Sequence, residues 1–209
     1  MCKLRYLAPL IAALYFLPAS AIDKDDLAKY HAKIVGMSID ENIEHPDIPK
    51  KHIEETKRRM ASMQASLNTN SFKTERKERD GMVVMVTIPT ASLFENNDTI
   101  VAAKGVNILH TLSRYMKVPD KYKVLVTVHS DDTGTKNYLY GMTQQRAEAI
   151  VDFLEDQGVA EGGILPYGVG NDERLSKDST RKERAKDRRV EIYFVPGPIL
   201  IENVKAGRP

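Results

Sequence analysis

The chain has 209 residues, room for one well-buried domain with an appendage or for two small domains. Hydrophobic residues make up 42% and charged residues 29%, an ordinary globular balance that excludes low-complexity and collagen-like classes. A net charge of +2, no Trp and 7% aromatics supply neither a basic field nor stacking platforms, so nucleic acid is excluded as a partner.

Residues 1–21 read as a secretory signal peptide. Lys3 and Arg5 form a cationic start, Tyr6 to Leu17 is an apolar run too short to span a bilayer, and Ala19-Ser20-Ala21 supplies small residues for cleavage. Removal of the two cations leaves 29 positive against 29 negative groups. Cys2 lies inside this segment rather than at its end, where a lipid-anchored protein needs its cysteine. The mature chain therefore has no thiol, no disulfide and no cysteine metal ligand.

Residues 22–80 read as a helical, charged N-terminal segment and linker. They hold a polar, helix-leaning start (Asp23 to Met37), a turn-rich break (Glu44 to Pro49) and a charged segment from Lys50 to Leu67. There Ile53, Thr56, Met60, Met63 and Leu67 fall at heptad-like spacing. Such a stripe packs on its own domain or pairs with a second copy, which makes a homodimer through Ile53–Leu67 the alternative. Asn68 to Asp80 reads as the linker.

Residues 81–196 change character. Met82 to Ile88 is a β-branched run stopped by Pro89 and predicts a strand. A helix follows, capped by Asn97 or Asp98, with Val101, Gly105, Ile108, Leu109, Leu112, Tyr115 and Met116 on one face. Lys123 to His129 alternates as a strand, and Thr143 to Gln157 predicts the clearest helix, with Ala147, Ile150, Val151 and Leu154 on one face. Ile164 to Val169 and Val190 to Val195 complete the strands, and residues 197–209 read as a tail. Strands alternating with helices predict an α/β (α+β) sandwich, a mixed sheet with helices packed on it, preceded by a short helical segment.

Four landmarks stand in order on this frame. His129-Ser130-Asp131-Asp132-Thr133-Gly134 ends a strand, and Met142-Thr143-Gln144-Gln145-Arg146-Ala147 follows, with Arg146 fifteen residues after Asp131. Tyr167-Gly168-Val169-Gly170 is a strand exit, and Asp187-Arg188-Arg189-Val190-Glu191-Ile192 closes the series. Together they resemble the OmpA-like family: H-T-D-x-x-G, L-S-x-x-R-A, a G-x-G exit and [ND]-R-R-V-E-I. The resemblance implies non-catalytic, non-covalent binding of peptidoglycan through the diaminopimelate of its stem peptides, with Asp131 and Arg146 as the clamp and no cofactor. Such a zwitterion needs one fixed anion for its ammonium and one planar cation for its carboxylate. His129, Ser130, Asn137, Thr143 and Arg189 are candidate supports. Leu139 stands where many members have asparagine, and Ser130 replaces the usual threonine. With Thr143 as N-cap, Arg146 falls at the third helical position, where a cation opposes the helix dipole and where backbone N–H groups would add to an anion site.

Other chemistry finds little support. The histidines have no metal-ligand spacing, no G-x-S-x-G elbow is present, and Gly168-Val169-Gly170 lacks the rest of a dinucleotide loop. Asp131 and Asp132 are adjacent and point apart, a poor pair for glycoside hydrolysis. The expectation is a non-enzymatic protein of the periplasm, associated with the outer membrane or with an envelope partner. The alternative is an envelope scaffold acting through residues 22–80.

Overall fold

The structure is a computed structural model that describes residues 47–67, 71–76, 79–175, 177 and 179–209. The expected signal peptide and the helix-leaning start from Asp23 to Met37 lie outside these residues.

Five strands form one sheet: β1 (Lys73–Glu75), β2 (Val84–Pro89), β3 (Tyr122–His129), β4 (Ile164–Gly170) and β5 (Arg189–Pro196). Their order is β1-β2-β5-β3-β4, with β3 and β4 parallel and every other pair antiparallel. The register places Val86, Ile192 and Val126 side by side across the three central strands. Because side chains alternate along a strand, that row and its neighbours two residues away all face one side. There they meet Leu109 and Leu112 of α2 (Ala103–Ser113) and Ala147, Ile150 and Leu154 of α3 (Lys136–Asp156) in the main core.

Three parts bear on the reading of the sequence. The first is α1 (Ile53–Ser66), whose stripe packs on its own domain, the first of the two readings above. Met60, Met63 and Leu67 are buried in the main core, and the Tyr115 hydroxyl donates to the Ser66 carbonyl at 3.0 Å. A dimer through this stripe would need those side chains at a surface, so that expectation is corrected. Met60→Ala is expected to lower the unfolding free energy by about 2–4 kcal/mol, measured by urea titration. An unchanged midpoint would mean that α1 is not part of the fold.

The second is the linker, which supplies β1, an edge strand tied to α1 where the Gln64 amide donates to the Thr74 carbonyl at 3.2 Å. The third is the C-terminal segment. Pro198 stands at the first turn of α4 (Pro198–Lys205), where its missing N–H costs nothing, and Leu200, Ile201 and Val204 are buried. Among the described residues no helix is long and apolar enough to cross a membrane.

Candidate ligand-binding site

The ends of β3 and β4 and the middle of α3 are laced together. The Ser130 amide donates to the Gly170 carbonyl at 2.6 Å, and the Gly170 amide donates to the Thr143 hydroxyl at 3.0 Å. The Gln144 side chain accepts from the Gly168 amide at 2.7 Å. A register shift between Val128 and His129 lets the strand exit turn, and Gly170 adopts φ +59°, a conformation few side chains tolerate. Asp131 follows Ser130 directly, and Arg146 lies one helical turn beyond Thr143. These bonds therefore fix the backbone that carries both.

Asp131 is 1% exposed. Its Oδ1 accepts from the Thr133 amide at 2.9 Å and from the Thr133 hydroxyl, and its Oδ2 pairs with the Arg188 guanidinium. Burial alone would raise its pKa, but the Thr133 hydrogen bonds and the Arg188 charge outweigh burial and hold it below the ordinary value.

Arg146 is 7% exposed, with its guanidinium 5.1 Å from the centre of the Phe94 ring. Nε donates to the Asp98 carbonyl at 2.8 Å and Nη2 to the Glu95 carbonyl at 3.4 Å. Burial lowers its pKa, opposed by Tyr138 and Asp98. Both hydrogen bonds go to carbonyls rather than to a carboxylate.

The local setting of Arg146 is not the one expected. Thr135, not Thr143, caps α3, accepting from the Tyr138 amide at 3.4 Å, and the helix starts seven residues earlier. Thr143 cannot cap, because its hydroxyl donates to the Tyr140 carbonyl at 3.0 Å while accepting from Gly170. Arg146 therefore lies in mid-helix, with no dipole penalty and no free backbone N–H groups beside it. The dipole argument and the N-terminal anion site are both withdrawn.

The supporting residues divide. Asn137 is exposed in the first turn of α3. His129 is buried, its Nε2 3.1 Å from the Thr127 hydroxyl and 3.3 Å from Glu191 Oε2. Arg189 is buried, with Nε donating to Glu191 Oε1 at 2.6 Å and Nη1 to the carbonyls of Glu173 and Asp187. Burial would raise Glu191, but His129, Arg189 and the Tyr193 hydroxyl overcome it and hold the carboxyl well below its usual range. Arg189 and Glu191 thus brace the start of β5 behind Asp131.

Sequence reading missed the basic partners of the acidic loop. Arg188 came from a dense charged run in which spacing marks no single side chain. Asp132 accepts from Arg184 Nε at 2.6 Å, from the Ser179 hydroxyl and from Arg174 Nη1 at 3.0 Å. Arg174 reaches on to the buried Asp187 at 2.9 Å. Hydrogen bonds from Arg184 and Ser179 and the charge of Arg174 lower Asp132 to a pKa of about 2.

Folded values below the unfolded one, about 3.9 for aspartate, mean that the stabilisation is complete above about pH 4 and is lost as the pH falls toward 2. Thermal melts are expected to fall through that window, and Asp132→Asn should flatten the slope. An identical slope in the variant would remove Asp132 from the account.

The mixed sheet, its helical layer and the laced ends of β3, β4 and α3 define the class, an OmpA-like α/β fold. Residues 93–188 match the model of the OmpA family. The "Probable lipoprotein YiaD" of Escherichia coli (strain K12) is 29% identical over 118 residues, 56% of this chain and 54% of that protein. The "Peptidoglycan-binding protein ArfA" of Mycobacterium tuberculosis (strain ATCC 25618 / H37Rv) is 29% identical over 99 residues, 47% of this chain and 30% of that protein. The chain thus spans about half or less of the length of these curated relatives. A solved MotB-like protein from Desulfovibrio vulgaris shares the fold, with a TM-score of 0.62 at 17% identity, covering 70% of this chain and 94% of that one.

Proposed function

We propose that this protein binds peptidoglycan non-covalently in the bacterial envelope, holding the free zwitterionic end of diaminopimelate between Asp131 and Arg146. The observation that carries the reading is the pair itself. One buried carboxylate and one buried guanidinium stand on backbone held together by the Ser130–Gly170–Thr143 bonds. Asp131 accepts the ligand ammonium in place of Arg188, whose side chain is 43% exposed and free to swing aside. Arg146 holds the carboxylate. The name of a relative as peptidoglycan-binding supports the ligand class. Export by a cleaved signal peptide over residues 1–21 would place the domain where the wall is.

The site favours holding over reacting. A general acid needs a raised pKa, whereas Asp131 and Asp132 are both lowered by guanidinium partners. Neither carries a proton to give near neutral pH.

The test is co-sedimentation of the protein with purified sacculi containing diaminopimelate, in parallel with sacculi that carry lysine in its place. Lysine lacks the second carboxylate, so selective pelleting with the first kind is expected. Equal pelleting would overturn the diaminopimelate assignment, and no pelleting would overturn wall binding.

A further inference from the structure

Beside the charged clamp stand two apolar side chains that neither the core nor the clamp uses. Tyr138 is 50% exposed and Ile100 is 73% exposed, against the usual burial of large apolar groups. Both are fixed at the clamp by their neighbours. Tyr138 lies in the first turn of α3 with its ring against Gly134, the last residue of the acidic loop. A methyl group placed on Gly134 would sit 3.3 Å from Tyr138 Cδ1 and 3.1 Å from Leu139 Cδ2, so the glycine lets this ring close on the loop that carries Asp131.

Ile100 approaches from the other element. The Asp98 carboxylate accepts from the Thr99 amide at 2.7 Å and from the Ile100 amide at 3.0 Å, a turn that fixes this short segment. The carbonyl of the same Asp98 accepts from Arg146 Nε. Ile100 is thus held two residues from an atom that grips Arg146, with its side chain left in water.

We propose that Tyr138 and Ile100 form the apolar flank of the Arg146 subsite and hold the carbon chain of the bound diamino acid. The inference rests on the clamp reading above and adds to it a determinant for chain length. A zwitterion on one carbon satisfies Asp131 and Arg146, and glycine has that much. Diaminopimelate continues from it through three methylene groups, which gain by leaving water against a ring and a branched side chain.

The experiment is an NMR titration of the isotopically labelled protein with free meso-diaminopimelate and, separately, with glycine. Tyr138→Ala is expected to weaken diaminopimelate binding roughly tenfold and to leave glycine binding and the melting temperature unchanged. Tyr138→Leu, which restores apolar area without a hydroxyl, should recover most of the loss. Tyr138→Ala binding diaminopimelate like wild type would overturn the flank and leave the clamp standing. Equal loss for both ligands would also overturn it, because Tyr138 would then act on the charged groups. Wild type binding neither ligand would overturn the clamp and the flank together.

Discussion

Asp131→Asn should leave a folded protein in the supernatant when wild type pellets with diaminopimelate-containing sacculi. The substitution keeps an oxygen for the Thr133 amide and removes the charge that an incoming ammonium requires. Loss of a buried charge pair typically costs about 2–4 kcal/mol of binding, roughly 30- to 1000-fold in affinity. The change is better read here than at Arg146. Arg146→Ala would also strip hydrogen bonds from the carbonyls of Glu95 and Asp98 and uncover Phe94, so stability would fall with affinity. Arg146→Lys keeps a cation and part of the packing but not the planar fork, and it should bind weakly while staying folded. A folded Asp131→Asn that pellets as wild type does would place the ligand elsewhere.

Gly168→Ala should be one of the most damaging single methyl additions in the domain. The added carbon would lie 2.2 Å from the Gln144 nitrogen, 2.6 Å from Gln144 Cα and 2.8 Å from the Thr143 carbonyl carbon. All three are backbone atoms of α3, so no rotamer change relieves the clash. The helix would have to lift from β4, breaking the bond from the Gly168 amide to Gln144 and loosening the tie from Thr143 to Gly170. A loss of about 3 kcal/mol or more is expected, which for a domain of this size lowers the melting temperature by roughly 6–12 °C. Gly141→Ala on the same helix is the control. Nothing lies within 4 Å of its added carbon, and replacing a helical glycine there should stabilise by about 0.5–1 kcal/mol. Equal melts for the two variants would mean that α3 does not rest on β4 as described.

The central sheet was legible because its signal is strong. Val84, Val86 and Ile88, then Val124, Val126 and Val128, then Val190, Ile192 and Phe194 alternate without interruption, and each set enters the core as its period demands. Weak or mixed signals produced the differences. Lys73-Thr74-Glu75 has no apolar residue, and only pairing with β2 makes it a strand. Pro198 reads as a stop when it follows a strand, yet it opens a helix because φ is already set. The start of α3 was obscured by Gly141 and by Tyr138 and Tyr140, which blur the apolar face. Thr143, next to the clear stretch, looked like a cap until its hydroxyl was found in the sheet. At the site, Asp131 and Arg146 were singled out by the resemblance of four ordered motifs rather than by periodicity. The partners Arg188 and Arg184 were indistinct because six basic residues between 181 and 189 read alike, and only the position of the strand ends selects among them; Arg174 lies outside that run in a loop with no periodic signal.

The place of β5 bears on how the chain is made. Among the described residues it is the last strand in sequence, yet it lies between β2 and β3 and bridges them. Until it arrives, the earlier strands are two separate fragments with open edges, and Asp131 waits for an arginine 57 positions later in the chain. Folding of this sheet is therefore nearly all-or-none, and it stays incomplete for as long as synthesis withholds the segment after Asp187. A chain truncated before β5 would be a substrate for proteases rather than a smaller binding module.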